Sequence, residues 1–201
     1  GEVIGKGHNQ VLKNNDISAI IIPSADPHLS EYLPEYWQGR QWLSGFTGSV
    51  GTLVVTHDFA GLWADSRYWV QAADQLEDTG ITLQKLQPGS PNHAQWLAAN
   101  LNAGDSVAID GNVLSLAEQD RLLDAFDEVA DSEEDGIRLI TELDLLGEIW
   151  QDRPELPSAQ LYAHDAQFVS QSAQEKLAEV RAQMQEIGAT HHLISSLDDL
   201  A

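Results

Sequence analysis

Two apolar runs stand almost back to back in this chain, Thr52–Thr56 (TLVVT) and Phe59–Trp63 (FAGLW), parted only by His57-Asp58. A two-residue polar break between β-prone runs predicts an antiparallel hairpin. The surrounding pattern alternates between strand and helix. Ile17–Ile22, closed by Pro23, reads as a buried strand. Tyr68–Leu76 suits a helix, and Ile81–Leu86 (ITLQKL) alternates with the period of a half-exposed strand. After the break Pro88-Gly89-Ser90-Pro91, a helix is expected around His93–Leu101 and a short strand at Val107–Ile109. Ser115 and Glu118 form a Ser-x-x-Glu capping box that opens a helix to about Val129. A strand at Ile137–Ile140 and a helix at Leu143–Trp150 complete the series. A hairpin combined with helical crossovers excludes a purely parallel sheet and predicts an α/β fold, a mixed β-sheet flanked by helices.

Charge narrows the choice of partners. The 32 acidic against 10 basic residues give a net charge of −22, which argues against nucleic acid and anionic membrane surfaces. Much of that charge sits in Asp124–Asp135 (DAFDEVADSEED), whose spacing fits a solvated helix face running into a loop, not a cation-binding loop. No apolar stretch approaches the roughly 20 residues that span a bilayer, and the opening GEVIGKGHNQ lacks the pattern of a signal peptide. Without cysteine there are no disulfides or thiolate metal sites, which accords with a cytoplasmic setting.

Asp152-Arg153-Pro154-Glu155-Leu156-Pro157-Ser158 interrupts the pattern and marks a boundary. The expected organisation is a first domain over 1–153, a linker over 154–171 and the start of a second, similar domain over 172–201. In that last segment Ser172 and Glu175 form another capping box, and Leu177, Val180, Met184 and Ile187 make one apolar stripe. Gly188 closes the helix and His191–Ser195 reads as a strand. Gly188–Asp198 (GATHHLISSLD) matches Asp16–Asp26 (DISAIIIPSAD) at Ile194 with Ile22, Ser196 with Ser24 and Asp198 with Asp26. A helix and one strand cannot bury their own apolar face, so this piece reads as the truncated opening of a repeat that packs on other structure.

Four blocks carry a family resemblance: IIPSADPHLSEY (21–32), WLSGFTGSVGT (42–52), GLWADSRYWVQA (61–72) and EIWQDRP (148–154). Together and in this order they resemble the N-terminal region of the three-domain Xaa-Pro aminopeptidases, also called aminopeptidase P, of the creatinase/prolidase group. The resemblance implies two related α/β domains ahead of a pita-bread domain. That last domain binds two divalent metal ions, commonly manganese, through Asp, Asp, His, Glu and Glu, and cleaves the bond before a penultimate proline. It further implies a peptide substrate with proline second, a homo-oligomer, and no catalysis by this stretch alone. Partners would then be the peptide and the protein's own catalytic domain. Two alternatives stand beside this reading: a non-catalytic peptide- or protein-interaction module of the same fold, and the N-terminal domain of a prolidase or creatinase.

Four residues are candidates for the rim of a neighbouring substrate site. Arg67 offers a forked, permanently charged guanidinium in Asp65-Ser66-Arg67, where the family pattern is Asp-Gly-Arg. Ser66 in place of Gly raises the question of the local backbone angle. The competing reading pairs Arg67 with Asp65 as a structural salt bridge. Phe46 sits between Gly45 and Thr47-Gly48, which present it outward or bury it as a core residue. His28, within PSADPH, is expected to staple its loop. His57, His93, His8, His164, His191 and His192 read as surface residues, not metal ligands, and no metal is expected in this chain. The glycines of GFTGSVG (45–51) reflect tight turns and close packing, because no Lys follows and a strand, not a helix N-terminus, comes next. The six tryptophans are core by default, with any exposed ones suited to an oligomer interface.

Overall fold

The computed structural model describes residues 7–130 and 136–200, and the chain divides into two compact units, Gly1–Leu156 and Pro157–Ala201. In the first unit β1 (Ala19–Pro23), β2 (Thr52–Thr56), β3 (Ala60–Ala64), β4 (Thr82–Lys85), β5 (Ser106–Ala108) and β6 (Arg138–Ile140) form one sheet in the order β4-β3-β2-β1-β5-β6. The β2–β3 hairpin forms as its sequence predicts, with Val55 opposite Ala60 and Leu53 opposite Leu62. Its His57-Asp58 turn is tied by Thr56, whose hydroxyl accepts from the Phe59 N–H at 3.1 Å and donates to Asp58 at 3.0 Å. β1 pairs antiparallel with β2 and parallel with β5, while β3–β4 and β5–β6 are parallel. Every strand except β2 therefore runs in one direction, and the sheet is mixed as expected.

Side chains alternate across the strands and sort into two cores. Ile20 and Ile22 of β1, Leu53 and Val55 of β2 and Leu62 of β3 pack on one face. There they meet Leu12 of α1 (Gly7–Asn14), Leu43 of α2 (Gly39–Ser44), Ala72 of α3 (Trp69–Gln75) and a buried Leu145. Ile21, Val54, Trp63 and Val107 pack on the other, against Leu97 of α4 (His93–Asn100) and Leu122 and Phe126 of α5 (Leu116–Asp127). Leu145 opens α6 (Leu145–Ile149), so the layers are helix, sheet, helix.

Several details differ from the sequence reading. α2, of only six residues, was not anticipated, and α1 places His8 in a helix, not a loop. Ser115 caps α5 by accepting from the Glu118 N–H at 3.2 Å, but the capping box is only half formed. The Glu118 carboxylate is turned to His93 at 3.0 Å and Arg121 at 2.9 Å, so His93 is a brace between α4 and α5 and not a free surface histidine. The hydrogen bond from His93 holds the Glu118 carboxyl below the usual range, with Arg121 adding to the effect. Trp63 and Trp150 are buried and the other four tryptophans half-buried. Trp42 stacks on Trp150 at 4.7 Å, and Arg153 lies 3.7 Å above the Tyr36 ring while binding the Tyr36 carbonyl and Asp144. In the acidic run Asp124, Asp127 and Glu128 are exposed, and 131–135 lie outside the described residues.

In the second unit α7 (Ala173–Glu186) forms with the complete capping box expected of Ser172 and Glu175. A short α8 (Leu197–Leu200) ends the unit. The expected strand at His191–Ser195 is absent: the segment has no ladder partner among the described residues, and a strand without one leaves its backbone unpaired. Gly188, after α7, is left-handed at φ 69°, and Asp16, after α1, is left-handed at φ 55°. The two positions matched in sequence thus share an uncommon backbone geometry.

Leu62 is fully buried in a central strand, whereas Val70 on α3 is 86% exposed. Leu62→Ala is expected to lower the unfolding free energy by about 2–5 kcal/mol, and Val70→Ala to change it by less than about 0.5 kcal/mol. Urea denaturation of the two variants checks the assignment of core and surface.

Candidate functional site

Because β1 and β3 run alike and β2 opposes them, three connections meet at one edge of the sheet: the loop after β1, the loop entering β2, and the turn after β3. Ligands of α/β proteins gather at the carboxyl ends of parallel strands. Two of the four candidate residues reach the surface there as a pair.

Asp65 and Arg67 face each other across the turn after β3. The Arg67 Nε and Nη2 donate to the two Asp65 oxygens at 2.9 and 2.8 Å, a two-pronged contact on the surface. The Arg67 N–H also donates to Asp65 at 3.0 Å, and the Tyr68 N–H closes the turn on the Asp65 carbonyl at 3.0 Å. Ser66 does not take a positive φ, so the missing glycine costs nothing here. The Arg67 side chain is 65% exposed. Asp65 is held below the usual carboxylate range, first by its hydrogen bond from Arg67, and Arg67 is raised in turn. Among the described residues the second terminal nitrogen of Arg67 has no hydrogen-bond partner, so that edge of the fork is able to donate to a carbonyl or carboxylate.

Phe46 does not present its ring outward. It is fully buried, meets Tyr68 edge-on at 5.9 Å and lies under the Arg40 guanidinium at 4.8 Å. Gly48 makes this possible, since a Cβ there would overlap the Phe46 ring and come within 2.8 Å of Tyr68. Gly45, at φ 73°, ends α2 in the left-handed conformation that glycine takes most readily. His28 is exposed and its imidazole staples nothing among the described residues. The staple is Asp26, whose buried carboxylate accepts the His28 and Ser30 N–H groups at 3.1 and 2.8 Å.

The residue that sequence reasoning missed is Arg40. It is only 5% exposed, and its donors reach the Ser24 hydroxyl at 2.7 Å, the Phe46 carbonyl at 2.9 Å and the Gly48 carbonyl. It therefore ties the loop after β1 to the Gly-rich loop. Burial lowers its pKa to about 10, still leaving it charged near neutrality. The same loop is pinned on its outer side, where the Thr47 N–H donates to Gln75 at 3.0 Å and Ser49 meets the Tyr68 hydroxyl at 2.7 Å. The available signal was an arginine one helical turn before GFTG in a chain poor in basic residues.

Comparison with known proteins places this architecture. The sequence profile described as "Creatinase/Prolidase N-terminal domain" matches residues 8–140, and a second profile of the same description matches residues 152–201. The chain belongs to the creatinase/prolidase N-terminal domain family. It is 38% identical over 92% of its length to Aminopeptidase P2 of Arabidopsis thaliana and 35% identical over 96% to Xaa-Pro aminopeptidase 2 of Homo sapiens. It spans 26% and 28% of those two proteins. Among solved structures it resembles the X-prolyl aminopeptidase of Caenorhabditis elegans, described as a cytosolic enzyme with a di-nuclear active site. That match has TM-score 0.71 and 29% identity, over 86% of this chain and 27% of the other.

Among the described residues no three His, Cys, Asp or Glu side chains come close enough to share a metal ion. His57 is exposed in the hairpin turn, and His164, His191 and His192 are exposed in the second unit. No described helix is long and apolar enough to cross a membrane.

The Asp65–Arg67 pair makes a sharp expectation. A carboxyl whose folded pKa is depressed contributes stability above its unfolded pKa and loses it as pH falls through the folded value. Arg67→Ala should move the Asp65 titration back upward into the ordinary carboxylate range while leaving the thermal midpoint at pH 7 essentially unchanged, because the pair is exposed. Carboxyl NMR titration of both proteins measures it.

Proposed function

We propose that this chain is the non-catalytic N-terminal region of a metal-dependent Xaa-Pro aminopeptidase, which removes an N-terminal residue that precedes proline. In this reading residues 1–153 are a creatinase-like domain, 154–171 a linker, and 172–201 the opening of a second related domain. The second profile match and the shared left-handed turn at Asp16 and Gly188 support that division. The chemistry belongs to two divalent metal ions, manganese by preference, bound outside this chain in a cytosolic homo-oligomer. This chain supplies the rim of the substrate site.

One observation carries the rim role. Arg67 stands at the carboxyl edge of the sheet, exposed yet held in one orientation by its two bonds to Asp65. A guanidinium with one edge fixed and the other open can bind a substrate carbonyl or carboxylate with little loss of side-chain freedom. Phe46, being buried, takes no part in this rim, and His28 contributes only its exposed position beside it.

The test is hydrolysis of an Xaa-Pro peptide by the full-length protein with manganese, wild type beside Arg67→Ala. A fall of about tenfold or more in kcat/KM, which corresponds to about 1.4 kcal/mol of transition-state binding, is expected with the circular dichroism spectrum unchanged. An unchanged kcat/KM would reduce the domain to scaffold. No hydrolysis by either protein would overturn the aminopeptidase reading in favour of an interaction module.

A further inference from the structure

A cavity of about 270 Å³ is lined by Ser24, Arg40, Gln41, Thr47 and Ser49, with Glu31 and Tyr32 also at its wall, and Ser49 joins it to the Arg67 turn through the Tyr68 hydroxyl at 2.7 Å. The three acceptors that Arg40 contacts are all neutral, and among the described residues no carboxylate lies within ion-pair distance of it. This is an expensive arrangement, because a buried charge without a counter-ion loses hydration that neutral acceptors only partly replace. The chain has 32 acidic residues from which a partner could have come. Of the five N–H donors on a guanidinium, three are engaged, and the other two have no partner among the described residues.

The wall of the cavity is held in an uncommon conformation. Leu29 adopts φ 54°, a left-handed geometry that is costly for a residue with a Cβ. It is kept there by the buried Asp26 carboxylate, which binds the N–H groups on either side of it. The chain then passes directly to Glu31 and Tyr32, whose side chains stand exposed at the cavity. Strain of this kind persists where surrounding structure enforces it and gathers at binding sites.

We propose that this cavity is a carboxylate-binding subsite with Arg40 as its cation. One guanidinium suits a singly charged group, and Glu31 at the wall disfavours a dianion such as phosphate. The volume suits one amino-acid residue and not a nucleotide. The carboxylate comes either from the free C-terminus of a short peptide or from an acidic side chain. The subsite stands on geometry independent of the aminopeptidase reading and is testable on the 201-residue chain alone.

The experiment follows the Arg40 Nε–H resonance by NMR at fixed ionic strength. The probes are acetate, acetyl-Ala-Ala with a free C-terminus, acetyl-Ala-Glu-Ala-amide and inorganic phosphate. Because Arg40→Ala would also release both loops, the decisive variant is Gln41→Glu, which is isosteric and puts a competing carboxylate beside the cavity. A saturable shift with carboxylates is expected, weaker by at least about tenfold in Gln41→Glu and tighter in Glu31→Gln, with phosphate weakest. Tighter binding of one peptide identifies the source of the carboxylate, and either order supports the subsite. No saturable shift with any carboxylate, or equal saturation in wild type and Gln41→Glu, would overturn it.

Discussion

β1 is the strand on which the rest of the first unit depends. It is hydrogen-bonded on both edges, antiparallel to the hairpin through β2 and parallel to the crossover half through β5. It is also covered on both faces, so Ile20 and Ile22 serve one core while Ala19 and Ile21 serve the other. A strand in that position tolerates no polar side chain on either face, which is why AIIIP has none. Its direction sets the site as well. With β2 reversed, the loop feeding β2 must enter at the edge where β1 and β3 end, and there it needs partners for its own backbone. Arg40 supplies them by binding two of the loop's carbonyls from within.

Much of this was legible in the sequence, and the reasons for the exceptions are physical. The hairpin, the buried β1, the edge strand β4 and the cap of α7 were readable because period, turn residues and capping pattern agreed with the tertiary environment. α2 was not, being of six residues, too short for an apolar stripe to declare itself. The strand expected at His191–Ser195 failed for the opposite reason: its local pattern was adequate, but a strand exists only with a partner. Ser115 and Glu118 show a third kind of miss. The motif was real, yet Glu118 gains more from His93 and Arg121 than from returning to the Ser115 N–H.

At the candidate site the sequence pointed to the turn after β3 and to the Gly-rich loop, but not to how their side chains pack. Arg67 and Asp65 were visible because two oppositely charged groups two residues apart at a strand end leave few alternatives. The orientation of Phe46 was not, since flanking glycines permit either direction and only the space beside Gly48 decides. His28 drew attention by its chemistry, but Asp26 holds that loop, because a short carboxylate reaches nearby backbone N–H groups more easily than an imidazole. Arg40 was hidden by its position ahead of the glycine loop, where a basic residue reads as surface.

The two arginines near this edge carry opposite electrostatic designs. Arg67 is exposed, already bound to Asp65, and surrounded by water that weakens its attraction for any further anion. Its two bonds to Asp65 hold it in one orientation. Arg40 is buried and bonded only to neutral groups, so its charge acts across a less polarizable medium where a given separation yields a larger interaction. The chain's net charge of −22 repels anions at long range and opposes their approach to either residue. That opposition is screened within about 10 Å at ordinary salt, whereas the contact with Arg40 is made at hydrogen-bond distance. At equal distance an anion would therefore feel a stronger attraction from the buried arginine than from the exposed one.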